Sequence, residues 1–147
     1  MNVYQSIDDI QKDKCFLYRP INNKFYNYIY FYKLSYNLLS FTLNSLLVWI
    51  ELKSYTVKEQ QGQLVLSYVM DEVFLEKMML FEKTLLEVFN LNIQKKIQYP
   101  SYENKNIFYY KNKVDPSDFK LFFRISGIWE SDTHIGLTTK IDIYPST

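Results

Sequence analysis

Alanine is missing altogether from this chain of 147 residues, and glycine occurs only three times, at Gly62, Gly127 and Gly136. Isolated glycines cannot build a phosphate-cradling loop of the G-x-G-x-x-G or P-loop kind. Cys15 is the single cysteine and His134 the single histidine. That excludes an internal disulfide framework and a Cys/His zinc site. His134 falls in a polar turn and Cys15 in an N-terminal arm with no histidine nearby, so neither reads as half of a nucleophile–base pair. Asp8 and Asp9 are adjacent and lack the spacing of a metal loop. The expectation is a protein with no cofactor, no bound metal and no enzymatic activity.

Long apolar runs are also missing. The longest, Leu46 to Ile50, is far below the ~18 to 20 residues of a membrane helix. The start, MNVYQSIDDIQKDK, carries acids and no apolar block, unlike a secretory signal. An intracellular, cytoplasmic protein without a membrane partner is expected. Charge of one sign is absent too: 17 basic and 16 acidic residues leave a net charge of +1. A polycation held to nucleic acid by bulk charge is excluded, but a locally basic groove is not.

Aromatic residues are abundant, at 18% of the chain, and lysine greatly outnumbers arginine. With abundant Asn and Ile, this is the composition that AT-rich codons produce. Codon bias explains why the rings are available and leaves open where they sit, so position has to carry any functional claim.

The length suits one domain, residues 1–147, with an arm over 1–20 that ends at Pro20 and holds a helical turn at IDDIQ. Residues 25–34, FYNYIYFYKL, have strand chemistry. Their alternation predicts Tyr26, Tyr28, Tyr30 and Tyr32 on one face and Phe25, Ile29 and Phe31 on the other. Residues 45–57 predict a second strand, with Leu46, Val48, Ile50 and Leu52 inward and Trp49, Glu51, Lys53 and Tyr55 outward. After a turn at KEQQGQ, residues 63–69 form a third, with Leu64 and Leu66 inward.

A helix follows. Asp71 is its N-cap, and Phe74, Met78, Phe81, Leu85 and Val88 form its apolar stripe. Glu72, Glu76, Glu82 and Glu87 form a solvated face, and the end falls near Asn90 or Asn92. Residues 95–118 read as a long basic and aromatic loop with a short strand at IFYY. Residues 119–130 predict a strand with Leu121, Phe123 and Ile125 inward and Lys120, Phe122 and Arg124 outward. Residues 135–144 give the last, with Ile135, Leu137, Ile141 and Ile143 on one face. The fold class is mainly β with one amphipathic helix. The order β-β-β-α-β-β is that of a five-stranded OB-like Greek-key barrel.

Outward faces then collect rings and cations: Tyr28, Tyr30, Tyr32, Trp49, Lys53, Tyr55, Lys120, Phe122, Arg124 and Lys140, with Lys111 and Lys113 in the long loop. Single-stranded nucleic acid exposes base faces and a phosphate line, and such a set meets both. Each stacked base is worth roughly 1–3 kcal/mol, with little sequence preference. Strand aromatics serve more often in cross-strand packing or subunit interfaces than as a base platform.

The text FRISGIWESDTHIGLTTKIDI resembles the last hairpin of OB-fold single-stranded DNA-binding proteins of viruses and virus-like elements. The composition is similar to that of proteins from yeast cytoplasmic linear plasmids. The resemblance implies that Trp129, Gly136 and Lys140 belong to the hairpin that shapes the cleft. The end, IDIYPST, departs from relatives of this kind that carry an acidic tail. The resulting expectation is a homo-oligomeric protein that binds single-stranded DNA, with RNA as the alternative ligand, in the replication of a viral or plasmid element. A non-catalytic adaptor or subunit of a replication complex is the competing reading.

Overall fold

In this computed structural model, residues 4–22, 30–38, 42–99, 106–110 and 119–145 are described. The elements are β1 (Cys15–Leu17), β2 (Ile21–Asn22), β3 (Tyr30–Asn37), β4 (Thr42–Leu43), β5 (Leu46–Trp49), β6 (Leu52–Gln60) and β7 (Gln63–Met70), then α1 (Glu72–Ile93). They continue with β8 (Lys96–Ile97), β9 (Asn106–Tyr110), β10 (Phe119–Glu130) and β11 (His134–Pro145). The protein is mainly β with one helix, and its large sheet curls as a half-barrel.

The large sheet runs β1-β3-β10-β11-β8, with β2 and β4 on β3 and β5 on β10. Strand β10 is its spine. It pairs with β11 along its whole length, with β5 through Phe122–Ile125, and with β3 through Gly127–Glu130. A smaller sheet, β6-β7-β9, stands beside it. The β6–β7 hairpin turns at Gln61 and Gly62, both with positive φ. A two-residue turn needs that backbone to match the strand twist.

Alternation decides the core. Leu46, Val48 and Ile50 from the β5 segment, Leu64, Leu66, Tyr68 and Met70 from β7, and Leu121, Phe123 and Ile125 from β10 are all buried. Onto them folds α1, capped by the Asp71 carboxylate, which accepts from the Phe74 N–H at 3.1 Å. Phe74, Met78, Phe81 and Leu86 are its buried stripe, whereas Val88 is exposed. The helix ends at Ile93, where Gln94 adopts the left-handed conformation and donates to the Asn90 carbonyl.

Four differences from the sequence expectations have physical causes. Residues 45–57 form two strands in two sheets, because the chain leaves the large sheet at Ile50–Glu51 and is shifted in register between Leu52 and Ser54. The N-terminal arm is integral: Ile7 is buried, Gln5 bridges Val48, and the Gln11 N–H donates to the Tyr36 hydroxyl at 3.1 Å. Glu82, expected in solvent, is 1% exposed, since it stands one turn after Met78 and one before Leu86 on the buried stripe. The segment 95–118 contributes β8, parallel to β11, which was not expected, beside the expected strand at IFYY, which is β9 and extends the small sheet.

Candidate nucleic-acid interface

The face of the large sheet turned away from α1 carries the candidate site. On β10, Phe122 and Arg124 alternate with the buried Leu121, Phe123 and Ile125, so they point to this outer side. Cross-strand register brings Trp49 opposite Phe122, and Lys140 opposite Arg124. Asp142 lies opposite Phe122 and Tyr144 opposite Lys120.

The rings form a connected group. Tyr4 packs on Phe122 with centroids 4.9 Å apart, and Phe122 packs on Tyr144 at 5.6 Å. The Lys120 ammonium lies 5.1 Å from the Tyr4 ring centroid and 5.6 Å from that of Trp49, and it donates to the Tyr4 hydroxyl at 2.9 Å. A cation hydrogen-bonded to the Tyr4 hydroxyl and close to the Trp49 ring is favourable and still partly solvated. Tyr4 is 39% and Trp49 38% exposed, so both offer ring area to a ligand.

Arg124 is fixed in place. Its Nε donates to Asp142 at 2.7 Å, and its terminal nitrogens donate to the Tyr144 hydroxyl at 2.7 Å and to the Ser45 hydroxyl at 3.4 Å. The hydrogen bond to Asp142 holds the guanidinium above its already high ordinary range. Lys120 and Lys140 have no carboxylate partner among the described residues. With Lys33, they leave this face with more positive than negative charge.

The expected residues divide. The structure brings together Trp49, Lys120, Phe122, Arg124 and Lys140 on the outer face, with Phe122 buried beneath Tyr4 rather than presenting its ring. Tyr30 and Tyr32 point the other way. Tyr32 packs edge-on against Phe89 of α1 at 4.7 Å and donates to Glu130 at 2.6 Å. Burial, with that hydrogen bond second, raises its phenol well above the ordinary value. Tyr30 pairs with Glu130 across the ladder.

The small sheet takes Lys53 and Tyr55 away as well. Lys53 pairs with Glu72 at the start of α1, and Tyr55 packs on Phe119 at 4.8 Å. Tyr28, Lys111 and Lys113 lie outside the described residues.

Sequence reasoning missed Tyr4, Tyr144, Ser45 and Asp142. The last strand held a usable signal: Asp142 and Tyr144 alternate with Ile141 and Ile143, in phase with Lys140. Nothing local marks Tyr4, whose position depends on the long-range bridge of Gln5 to Val48.

On the inner side, a groove of about 510 Å³ opens between α1 and β1, lined by Lys12, Cys15, Leu17, Tyr32, Leu85 and Phe89. Burial, with Asp13 second, pushes the Cys15 thiol up to about 11, so it stays protonated at neutral pH. Among the described residues there is no cluster of His, Cys, Asp and Glu able to hold a metal ion, and no helix long and apolar enough to cross a membrane.

No family model, curated protein or solved structure matches this chain. Geometry alone carries the functional argument.

Proposed function

We propose that this protein is an OB-like single-stranded DNA-binding protein, largely indifferent to sequence, that serves the replication of a viral or plasmid element as a homo-oligomer. One observation carries the reading: Lys120 sits close to the rings of Tyr4 and Trp49, beside Arg124 and Lys140, on a solvent-facing sheet surface. Rings supply stacking area and the ammonium groups supply phosphate contacts, the two components of single-strand binding. The helix between the β6–β7 and β10–β11 hairpins supports the OB-like assignment.

Titration with oligo(dT) at two salt concentrations tests the reading. Lys120→Ala is expected to reduce the slope of log K against log salt by about one unit. Trp49→Ala is expected to weaken binding by roughly 1–3 kcal/mol with little change in slope. Absence of binding at low salt would sink the proposal.

A second reading, a subunit or adaptor, draws on α1. Val73, Leu80, Val88 and Leu91 are all more than half exposed. They recur along one flank of the helix, next to the stripe of Phe74, Phe81 and Leu85. Under that reading, size-exclusion chromatography finds a stable hetero-complex and oligo(dT) leaves it unchanged.

A further inference from the structure

The outer face continues beyond Arg124. The register of β10 shifts between Ile125 and Gly127, and Ile125 and Ile128 are both fully buried. The extra residue, Ser126, resets the alternation, so Gly127 and Trp129 fall on the same side as Phe122 and Arg124. Opposite Trp129 stand Phe31 on β3 and Gly136 on β11.

Both glycines act as seats for rings. A Cβ on Gly136 would lie 2.6 to 2.7 Å from three adjacent atoms of the Trp129 indole, which places the ring face-on over that glycine. A Cβ on Gly127 would lie 2.8 Å from the tip of the Phe31 ring. Trp129 and Phe31 therefore lie along the sheet surface. Lys33, exposed and two residues from Phe31, has no carboxylate partner among the described residues.

We infer that Trp129, Phe31 and Lys33 form a second base-stacking subsite, so that one single strand of DNA runs along β10 from Trp49 and Tyr4 to Trp129. This rests on the function proposed above and extends it to a footprint. The two shelves are about 20 Å apart along the strand, at ~3.3 Å per residue. That span needs several nucleotides, within the range of roughly 4 to 16 nucleotides known for a single OB fold. Lys140 stands between the shelves, opposite Arg124, where the connecting phosphates would pass.

Trp49 and Trp129 are the chain's two tryptophans, one on each shelf. Trp129→Phe leaves the first shelf fluorescent, and Trp49→Phe leaves the second. Each variant is titrated with oligo(dT) of about 12 nucleotides, long enough for both shelves. The expected result is quenching in both variants at the same oligonucleotide-to-protein ratio. Lys33→Ala, a change at an exposed side chain, is expected to lower the salt slope by about one unit. If Trp49 is quenched while Trp129 stays unchanged and Lys33→Ala keeps the full slope, the second subsite is wrong and the first stands. If neither tryptophan responds and no complex forms with labelled oligo(dT), the function and the footprint fall together.

Discussion

Glu82 and Glu130 are both buried, yet burial has opposite outcomes for them. Glu82 has neither carboxylate oxygen hydrogen-bonded, and burial pushes its carboxyl up to about 8. It is neutral in the folded protein over a pH range where the unfolded chain has ionised. The unfolded state then binds fewer protons, so stability falls as pH rises from about 4.5 to about 8, by about 1.4 kcal/mol per pH unit. Glu82→Gln is expected to raise the Tm at pH 8 and to lose that advantage near pH 4.5, as checked by thermal melts across the range. Burial also pushes Glu130 up, but hydrogen bonds from Lys95 at 2.5 Å and Tyr32 at 2.6 Å, with the Lys95 charge, hold it below the ordinary carboxylate value. Its contribution is present above that ordinary value and is lost as pH falls through the depressed one. Tyr32→Phe removes one of these bonds, at a cost of roughly 1.5–3 kcal/mol for a charged acceptor. The same variant is expected to move acid unfolding to higher pH, which circular dichroism would follow.

At the scale of elements, β10 owes its two-part pairing to Gly127. A Cβ there would stand 2.2 Å from the Tyr32 carbonyl, a backbone atom that cannot swing aside. Gly127→Ala is therefore expected to cost several kcal/mol, within the range of overpacked sites, and chemical denaturation would measure it. Gly136→Ala meets a movable ring instead, so its expected signature is a shifted Trp129 emission with smaller loss of stability. Much of this level was legible in the sequence. The helix, its Asp71 cap and the Phe74–Met78–Phe81 stripe follow from spacing alone, as do the two faces of β10 up to Ile125 and the aliphatic face of β11. Strand β3 is inverted relative to the expectation that aliphatic faces turn inward and aromatic faces outward. Leu34 and Tyr36, both buried, lie in phase with Tyr30 and Tyr32 and mark that face as the inner one. The register shift beside Lys53 has no sequence signature, and Glu82 defied its charge because its neighbours one turn away on either side are apolar.

On the scale of the whole molecule, one cluster of buried side chains joins the arm, both sheets and the helix, from Ile7 through Tyr68 and Phe74 to Leu137. The arm is fastened at separate points by Ile7, by the Lys77–Asp8 ion pair at 2.7 Å and by the Gln5 bridge. Deleting residues 1–10 removes the buried Ile7, worth about 1.5–3 kcal/mol, and Tyr4 from the outer face. A lower Tm together with weaker oligo(dT) binding is the expected result, whereas Tyr4→Ala alone should weaken binding with most of the Tm retained. The spine position of β10 has a consequence for biosynthesis. Strands β3 and β5 leave the ribosome long before residues 119–130, which join them in one sheet. At roughly 5–20 residues per second, the nascent chain spends several seconds with Leu46, Val48 and their neighbours unsheltered. A chain arrested before Phe119 is therefore a client for chaperones and proteases until its last hairpin emerges.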